Sequence, residues 1–340
     1  MFPHLSRALL TAAAAALVVG PVAAEPLRMS VEAFGTSAQV EIRDQPREAA
    51  EAAARAALAE IFTLSGLFDP NGEADGGIGG LNKAAGGEIY PLDPRTRELL
   101  LRSLQFCIWS TGAYGPLGGE LNQLWGDHES GKRTRPDPYD LREAVGTAEC
   151  NRINLTTAGD SPAATLVQGS RIDTFGLGRG IAVDRAMDVV RSLGVDNAWI
   201  EVGNVWRALG PGPEGRGWLA SLPPAPGEKE PVDEVWLTDQ AMVILSTEPF
   251  GGETFPPIVD QRTGVPSRGV IMVVTVTDLA ADAEPLATTL FSLGHREGQM
   301  RLGTLAPRPS VYWLLGEGQG RPLEATYLWT RLDRVQRRKH

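Results

Sequence analysis

Helices and strands are predicted to follow one another along this chain without regular alternation. The predicted helices cover residues 46–68, 95–110, 136–144, 183–193 and 284–293, and predicted strands include 27–31, 38–42, 152–155, 164–168, 198–202, 205–209, 242–246 and 270–277. A doubly wound parallel sheet requires regular strand–helix–strand units. The order therefore favours an α+β fold with mixed, largely antiparallel sheets and packed helices.

The first 24 residues have the features of a secretory signal. Arg7 precedes an apolar run, Ala8–Val19, that only Thr11 interrupts, and small residues end the segment at Ala24. The apolar run is too short to span a bilayer. We therefore expect cleavage after Ala24 and a soluble mature protein exported to the periplasm.

Charge and cysteine content narrow the possible partners. The chain has 42 acidic and 32 basic residues, a net charge of −10, which argues against nucleic acid as a partner. Residues 331–340 are basic and are predicted to form a solvated tail. Cys107 and Cys150 are the only cysteines; an oxidising compartment permits a disulfide, but Cys107 lies in an apolar helical run and fits a buried thiol equally well.

A glycine-rich loop after residue 172 is the first candidate binding site. Asp173 leads into glycines at alternate positions over 176–180, and an amphipathic helix follows that is predicted to end at Gly194. Bare backbone N–H groups at a helix start suit a phosphate or a ribose, and Arg179 adds a positive charge. The dinucleotide fingerprint G-x-G-x-x-G is absent, so an ordinary turn is an equally good interpretation.

A second candidate site lies at the start of the helix predicted over 284–293. Glu284 and Thr288 are four residues apart and share one helical face, and Asp278 and Asp282 lie just before them. Carboxylate and hydroxyl oxygens are ligands that Mg²⁺ accepts together with substrate phosphates. Acidic residues also favour helix starts for electrostatic reasons, and on this segment alone that interpretation is preferred.

Several segments, taken in order, resemble motifs of the ApbE family, the FAD:protein FMN transferases. The matching segments are Phe34–Thr36, Leu81-Asn82, Gly112–Gly126, Asp173–Asp184, Gly203–Gly210, Ile258–Pro266 and Ala283–Leu290. The resemblance covers nearly all of the mature chain, and we expect one ApbE-like, T-fold-related domain over residues 25–330.

The resemblance implies a substrate, a metal and a reaction. Family members bind FAD and Mg²⁺ and move FMN onto a Thr or Ser of a target protein, forming a phosphoester and releasing AMP. The FAD contacts that it implies are Phe34, Thr36, Tyr114, Gly115, Pro116, Asp173, Arg179 and Ile258. The implied metal ligands are Glu284, Thr288 and the carbonyl of Gly176; a different register would make Asp282 the carboxylate.

This sequence departs from the family at working positions. The family His before I-I-D is Pro257, which cannot accept a proton, so Asp260 is the candidate general base. Two hypotheses follow: an exported FMN transferase with an unusual base, or a catalytically degenerate flavin-binding protein that helps to mature another exported redox protein. A third, a self-flavinylated carrier using residues 160–165, is less favoured because a hairpin turn explains that segment.

Overall fold

Helices and antiparallel sheets make up the fold, which confirms the predicted α+β class. The computed structural model describes residues 25–125, 136–247, 258–316 and 322–334, so the predicted signal and Pro257 lie outside the described residues. Within these ranges no helix has the length and apolar character needed to cross a membrane. The helices are α1 (Arg47–Phe68), α2 (Ile78–Lys83), α3 (Pro94–Trp109), α4 (Gly119–Leu124), α5 (Pro138–Thr147), α6 (Gly178–Ser192) and α7 (Ala280–Leu302).

Most strands belong to one large sheet. The strands are β1 (Leu27–Ala33), β2 (Thr36–Ile42), β3 (Tyr90–Pro91), β4 (Ile153–Ala158), β5 (Ser161–Leu166), β6 (Ala198–Val202), β7 (Val205–Leu209), β8 (Trp218–Ser221), β9 (Glu234–Leu237), β10 (Ala241–Ser246), β11 (Val259–Asp260), β12 (Val265–Pro266), β13 (Val270–Thr277), β14 (Ser310–Leu315), β15 (Leu323–Tyr327) and β16 (Asp333–Arg334). Eight of them form an antiparallel sheet in the order β1-β2-β6-β7-β10-β13-β14-β15.

Helices α1, α6 and α7 cover one face of this sheet. Strand β6 shows why: Ala198, Ile200 and Val202 are fully buried in the core that the helices share, while Trp199 and Glu201 alternate with them on the other face. Burial of this apolar face is the main driving force for the layered arrangement. The tight turns at one end of the sheet therefore lie next to the helix N-termini.

A smaller sheet, in the order β16-β9-β8, packs on the opposite face and forms a second core. Trp329 and Leu332 are buried in this core, and β16 pairs with β9. The fold therefore continues to residue 334, inside the segment predicted as a solvated tail, and the remainder of that segment lies outside the described residues. Residues 160–165 belong to the β4–β5 hairpin and its turn, which agrees with the turn interpretation.

The predicted start of α7 at Glu284 is wrong, because the helix begins four residues earlier. The carboxylate of Asp184 on α6 accepts the amides of Ala280 (3.0 Å) and Ala281 (2.9 Å). It thus satisfies two of the N–H groups that a helix start leaves without partners. Pro285 consequently lies inside the helix rather than in its first turn. A cap supplied from another helix leaves no local signal in the sequence.

Other helix limits also differ from the predictions. Helix α6 already begins at Gly178, within the glycine loop, and Leu193, predicted on its apolar face, is exposed. Short helices α2 and α4 lie outside the predicted helices. By contrast, the start of α3 matches the prediction, since Asp93 accepts the amide of Arg95.

Cys107 and Cys150 form a disulfide, which decides between the two alternatives that the sequence left open. The bond joins α3 to the short 3₁₀ turn before β4, and the two cysteines are 43 residues apart. A cross-link over a loop of this length restricts the unfolded chain. It therefore stabilises the region that carries Tyr114 and Gly115.

Replacing both cysteines with alanine is expected to lower the free energy of unfolding by about 2–4 kcal/mol, because the unfolded chain regains the freedom that the loop closure removed. Urea unfolding of the variant and the wild type, followed by far-UV circular dichroism, measures this difference. Wild-type protein unfolded under reducing conditions serves as the control and should resemble the variant. Equal midpoints for oxidised wild type and variant would contradict the stabilising role.

Candidate functional site

A cavity of about 130 Å³ opens where several predicted motifs meet at one end of the large sheet. The β1–β2 turn, the β6–β7 turn, the end of β10 and the starts of α6 and α7 all reach it. The residues that line it are Phe34, Thr174, Phe175, Gly176, Arg179, Asn204, Val243, Leu245, Glu284 and Thr288. Five of these residues come from distant segments and were predicted to bind FAD or the metal; they are Phe34, Gly176, Arg179, Glu284 and Thr288.

Glu284 is a buried carboxylate in the wall of this cavity, with 3% of its surface exposed. Its Oε2 accepts the amide of Gly180 at 2.7 Å, and within the described residues it forms no ion pair. Burial raises the pKa of Glu284 to about 7, although the Gly180 amide and the Arg179 guanidinium oppose the shift. A carboxylate buried in this way is well suited to binding a cation.

Thr288 and Gly176 face each other beside Glu284. The Thr288 hydroxyl donates to the carbonyl of Glu284 at 3.0 Å, which leaves its lone pairs available. Gly176 has a left-handed backbone (φ +75°), and a Cβ there would collide with the Thr288 hydroxyl and the Tyr114 phenol oxygen. Only glycine can hold this backbone at this distance from the two hydroxyls.

Tyr114 reaches the same point from the opposite side. Its hydroxyl lies 2.8 Å from the carbonyl oxygen of Gly176 and 3.0 Å from that of Phe175, and it can donate its proton to one of them at a time. Burial, together with the carboxylates of Glu284 and Asp173, raises the pKa of Tyr114, so its phenol stays protonated. The tyrosine therefore holds the backbone that carries the predicted carbonyl ligand.

Arg179 lies in the first turn of α6 and points along the cavity. Its Nη1 donates to Asn204 Oδ1 at 2.9 Å and its Nη2 to the carbonyl of Phe34 at 3.3 Å. Phe34 and Gly35 both have positive φ, as a tight hairpin turn requires. The guanidinium thus links two sheet turns and places a positive charge next to the helix N-terminus, where a phosphate is favoured.

A second, smaller cavity of about 20 Å³ adjoins the first, and Phe175 and Thr288 line both. Tyr114, Gly115, Asp173 and Ile258, all predicted to contact FAD, lie in its wall. The two cavities together are much smaller than the 300–1,000 Å³ usual for ligand pockets. A dinucleotide that reached both would therefore have to displace the side chains between them.

Asp173 is fixed by neighbouring polar groups. Its Oδ2 accepts Asn122 Nδ2 at 2.7 Å, and its Oδ1 accepts the amide of Phe175 at 2.9 Å. Asn82 of α2 binds the residue before Asp173. Its side-chain Nδ2 donates to the Ile172 carbonyl, and its Oδ1 accepts the Ile172 amide. These contacts fix the loop that carries Gly176.

Four of the predicted site residues lie outside both cavity walls, and they are Thr36, Pro116, Asp282 and Asp260. Thr36 is the first residue of β2, and Pro116 contributes its carbonyl to the amide of Asp173 at 2.9 Å. Asp282 is half-exposed and pairs with Arg102 of α3 at 2.8 Å. The structure therefore separates the two alternative carboxylates, with Glu284 in the cavity and Asp282 engaged elsewhere.

Asp260, the candidate general base, also lies outside both walls and is held within its own turn. Arg262 donates to both of its carboxylate oxygens, with Nη2 at 2.7 Å from Oδ2 and Nε at 3.0 Å from Oδ1. Arg262 in turn contacts Glu297 at 3.0 Å. This geometry is typical of a carboxylate that stabilises a turn, and its role as a base stays a prediction.

The donor set fits one hard divalent cation. It combines one carboxylate (Glu284), one hydroxyl (Thr288) and one backbone carbonyl (Gly176), and Mg²⁺ accepts such oxygen ligands together with water and phosphate. In the described part of the chain no group of three or more His, Cys, Asp or Glu residues could hold a metal. Any cation bound here would therefore depend strongly on Glu284.

A buried ion pair positions the helix that carries Glu284. Asp184 Oδ1 accepts Arg207 Nη1 at 2.6 Å, and both residues are buried. The same carboxylate caps α7 through Ala280 and Ala281. Strand β7, α6 and α7 are thus joined at one carboxylate next to the cavity.

Sequence analysis missed several residues of the site. Asn204 binds both Arg179 and the carbonyl of Ile244 (2.7 Å), and Phe175 separates the two cavities. Asn204 lies within a matched motif, Gly203–Gly210, so its position was available as a signal. Phe175 likewise lies within a matched motif, Asp173–Asp184, whereas no local pattern marked Val243 and Leu245 on β10 as part of the site.

Comparisons with known proteins agree with this architecture. The model of the ApbE family matches residues 34–309, and the chain belongs to this family. A protein of Treponema pallidum (strain Nichols) named FAD:protein FMN transferase is 27% identical over 287 residues, covering 78% of each chain. One of the same name from Rhodobacter capsulatus is 26% identical over 281 residues, 78% of this chain and 51% of that protein, so the chain spans about half its length.

A solved structure shows the same fold. The apo form of the flavinyl transferase ApbE of Pseudomonas stutzeri superimposes with a TM-score of 0.76 at 20% identity, over 90% of this chain and 96% of that one. At this identity the likeness concerns the fold alone. The predicted ApbE-like architecture is thereby confirmed.

Glu284 predicts a pH dependence of stability in the absence of metal. Its pKa is about 7 in the folded state against 4.5 for an ordinary glutamate, so the folded state holds its proton more tightly. The contribution of protonated Glu284 to the stability of the folded state is complete below about pH 4.5 and is lost as the pH rises through about 7. The measurement compares the free energy of unfolding of the wild type with that of Glu284→Gln in EDTA. The wild-type value minus the variant value should decrease as the pH rises from about 4.5 to about 7. Parallel curves for the two proteins would contradict the raised pKa.

Proposed function

We propose that this protein transfers FMN from FAD to a Thr or Ser hydroxyl of a target protein, with Mg²⁺ bound at Glu284. The observation that carries the proposal is the buried Glu284 carboxylate, without an ion-pair partner in the described structure, beside Thr288 and Gly176. Family membership and the names of the relatives support it. The position of Arg179 at the α6 N-terminus supports a phosphate-bearing substrate.

The proposed reaction is a displacement at phosphorus. The acceptor hydroxyl oxygen bonds to the phosphorus on the FMN side, the bond from this phosphorus to the bridging oxygen breaks, and AMP leaves with that oxygen. The hydroxyl proton passes to a base or to water. Positioning and charge stabilisation dominate the catalysis of phosphoryl transfer.

Each residue of the site has a role in this proposal. Glu284, Thr288 and the Gly176 carbonyl would hold Mg²⁺, which supplies neutralisation of the charge that develops on the phosphates. Arg179 binds phosphate oxygens while Asn204 and the Phe34 carbonyl orient its guanidinium. Asp173, fixed by Asn122, offers the contact to FAD that the family resemblance implies.

A second candidate function is flavin binding without turnover, as an accessory protein in the maturation of another exported redox protein. Pro257 stands where the family has its His, and Asp260 is engaged by Arg262. In the walls of the two cavities, as far as the chain is described, the carboxylates are Asp173 and Glu284 and there is no histidine. These observations favour the second candidate.

We also propose that the protein works outside the cytoplasm. The predicted signal over residues 1–24 supports export, and the disulfide between Cys107 and Cys150 supports an oxidising compartment. The target protein would then be exported as well. Fractionation of cells that express the full chain tests this, and a mature protein retained in the cytoplasm would contradict it.

The two functions are separated by one assay on the purified mature protein. It is mixed with FAD, Mg²⁺ and a target that carries the acceptor motif of the family, and AMP release and covalent flavin on the target are measured. Release of AMP in step with flavinylation supports transfer, and EDTA should abolish both. Bound flavin without AMP release supports the accessory function and contradicts transfer.

A further inference from the structure

A third cavity, of about 400 Å³, lies on the face of the large sheet that is opposite to α1, α6 and α7. It has no wall residue in common with the two cavities of the proposed FAD site. Four tryptophans line it, and they are Trp199, Trp206, Trp218 and Trp236. Because this aromatic wall is separate from the walls of the proposed FAD site, it has no role in the proposed transfer.

The indole rings form a connected surface. The Trp199 ring centroid lies 5.8 Å from that of Trp206 and 5.8 Å from that of Trp218, with the rings tilted. Cations of the chain already lie over two of the rings: Arg43 is 5.7 Å from the Trp218 centroid, and Arg216 is 4.8 Å from the Trp236 centroid. These indole faces therefore attract guanidinium groups, as the negative face of an aromatic ring does.

Two of the three carboxylates in the cavity wall form ion pairs with described arginines. Glu41 pairs with Arg28 at 2.7 Å and with Arg43 at 2.6 Å, and Glu214 in the same wall pairs with Arg216 at 2.7 Å. For Glu201 the described structure shows a single contact, the indole N–H of Trp199 at 3.0 Å. Glu201 is therefore the carboxylate of this wall that forms no ion pair with a described residue.

Partial burial disfavours the ionised form of the Glu201 carboxylate. Desolvation and the nearby Glu41 carboxylate raise the pKa of Glu201, while the Trp199 indole lowers it. A cation bound next to Glu201 would relieve this cost and gain contact with the indole faces at the same time. A neutral ligand of the same shape would gain only the contact with the indole faces.

We propose that this cavity binds an organic cation, a guanidinium or alkylammonium group, between the Glu201 carboxylate and the indoles of Trp199 and Trp206. The group can belong to a free metabolite or to a side chain of a polypeptide. The wall includes Leu219 and Ser221 of β8, the last strand in the order of the small sheet, so an extended segment could pair along this strand while its basic side chain enters the cavity. The proposal is independent of flavin transfer.

The test uses the mature wild-type protein and Nα-acetylarginine amide (arginine amide below). Binding is measured by calorimetry and by the indole N–H resonances of ¹⁵N-labelled protein. We expect saturable binding with a shift of the Trp199 indole resonance, and no comparable binding of Nα-acetylcitrulline amide (citrulline amide below), which has nearly the same shape without the positive charge. A missing shift, or equal binding of citrulline amide, would overturn the proposal without involving any variant.

The matched variants are Glu201→Gln, within the cavity, and Glu32→Gln, an exposed carboxylate of β1 that does not line it. Glu201→Gln should weaken arginine amide binding about tenfold or more, the effect of losing a charged hydrogen-bond partner. Glu32→Gln should leave it unchanged, and both should leave FAD binding unchanged. Undiminished binding to a folded Glu201→Gln variant would overturn the assignment.

A peptide distinguishes the two sources of the cation. A five-residue peptide with one central arginine is compared with arginine amide and with the same peptide containing citrulline. Markedly tighter binding of the arginine peptide identifies a polypeptide segment along β8, and equal affinities identify a free cation. If the citrulline peptide binds as tightly as the arginine peptide, the cation is not what is recognised and the proposal fails.

Discussion

Replacing Glu284 with glutamine is expected to reduce FMN transfer at least about 100-fold, because the proposed magnesium site loses the one carboxylate that the described residues of the larger cavity wall provide. Charge stabilisation by a catalytic metal amounts to several kcal/mol, and about 2.7 kcal/mol corresponds to 100-fold in rate. Glutamine is nearly isosteric and can still accept the Gly180 amide, so the fold should persist. The measurements are the rate of AMP release and the affinity for Mg²⁺ by calorimetry.

Asp282→Asn is the matched control, since Asp282 lies two residues away on the same helix but pairs with Arg102. It should keep its rate within about twofold, as expected for a substitution outside the site. If Asp282→Asn abolished Mg²⁺ binding and Glu284→Gln did not, the metal would have to be reassigned to Asp282. Loss in both variants would indicate that the helix start as a whole had been disturbed.

Replacing Asp184 with alanine is expected to lower the free energy of unfolding by about 3–5 kcal/mol, since it leaves the buried Arg207 without its partner. The same change removes the acceptor of the Ala280 and Ala281 amides at the start of α7. Urea unfolding measures the loss of stability, and hydrogen exchange of these two amides reports the loosened helix start. Affinity at Glu284 should fall as well, because the helix that carries it is no longer anchored.

Two further variants keep this prediction specific. Asp184→Asn retains an oxygen that can accept the helix amides but not the charge, so we expect a smaller loss than for alanine. Glu51→Ala breaks the exposed pair with Arg47, which should cost less than about 1 kcal/mol. An Asp184→Ala variant as stable as Glu51→Ala would show that the buried pair does not anchor α7.

Local patterns in the sequence were sufficient for the elements that depend on local interactions. Helix α1, helix α3 and strands such as β6 match their predicted positions closely. The start of α7 could not be predicted, because its cap comes from Asp184, 96 residues away. The disulfide was undecided for the same reason, as only the fold brings Cys150 to Cys107.

The candidate site was predictable through motifs rather than through physical pattern. Glu284 and Thr288 were singled out by spacing, and their meeting with Gly176 and Tyr114 required the fold. Val243 and Leu245 of β10 show no such signal in the sequence, yet they line the larger cavity. Cavity walls that come from several distant strands and turns are set by tertiary packing, which no local window contains.

The central claim is that this chain transfers FMN although Pro257 replaces the family His. The most direct measurement is the intact mass of an acceptor protein after incubation with the mature chain, FAD and Mg²⁺. The account predicts an increase in mass equal to one FMN phosphoester, absent with EDTA and absent when the acceptor Thr is replaced by Val. An acceptor of unchanged mass, under conditions in which the chain demonstrably binds FAD and Mg²⁺, would contradict it.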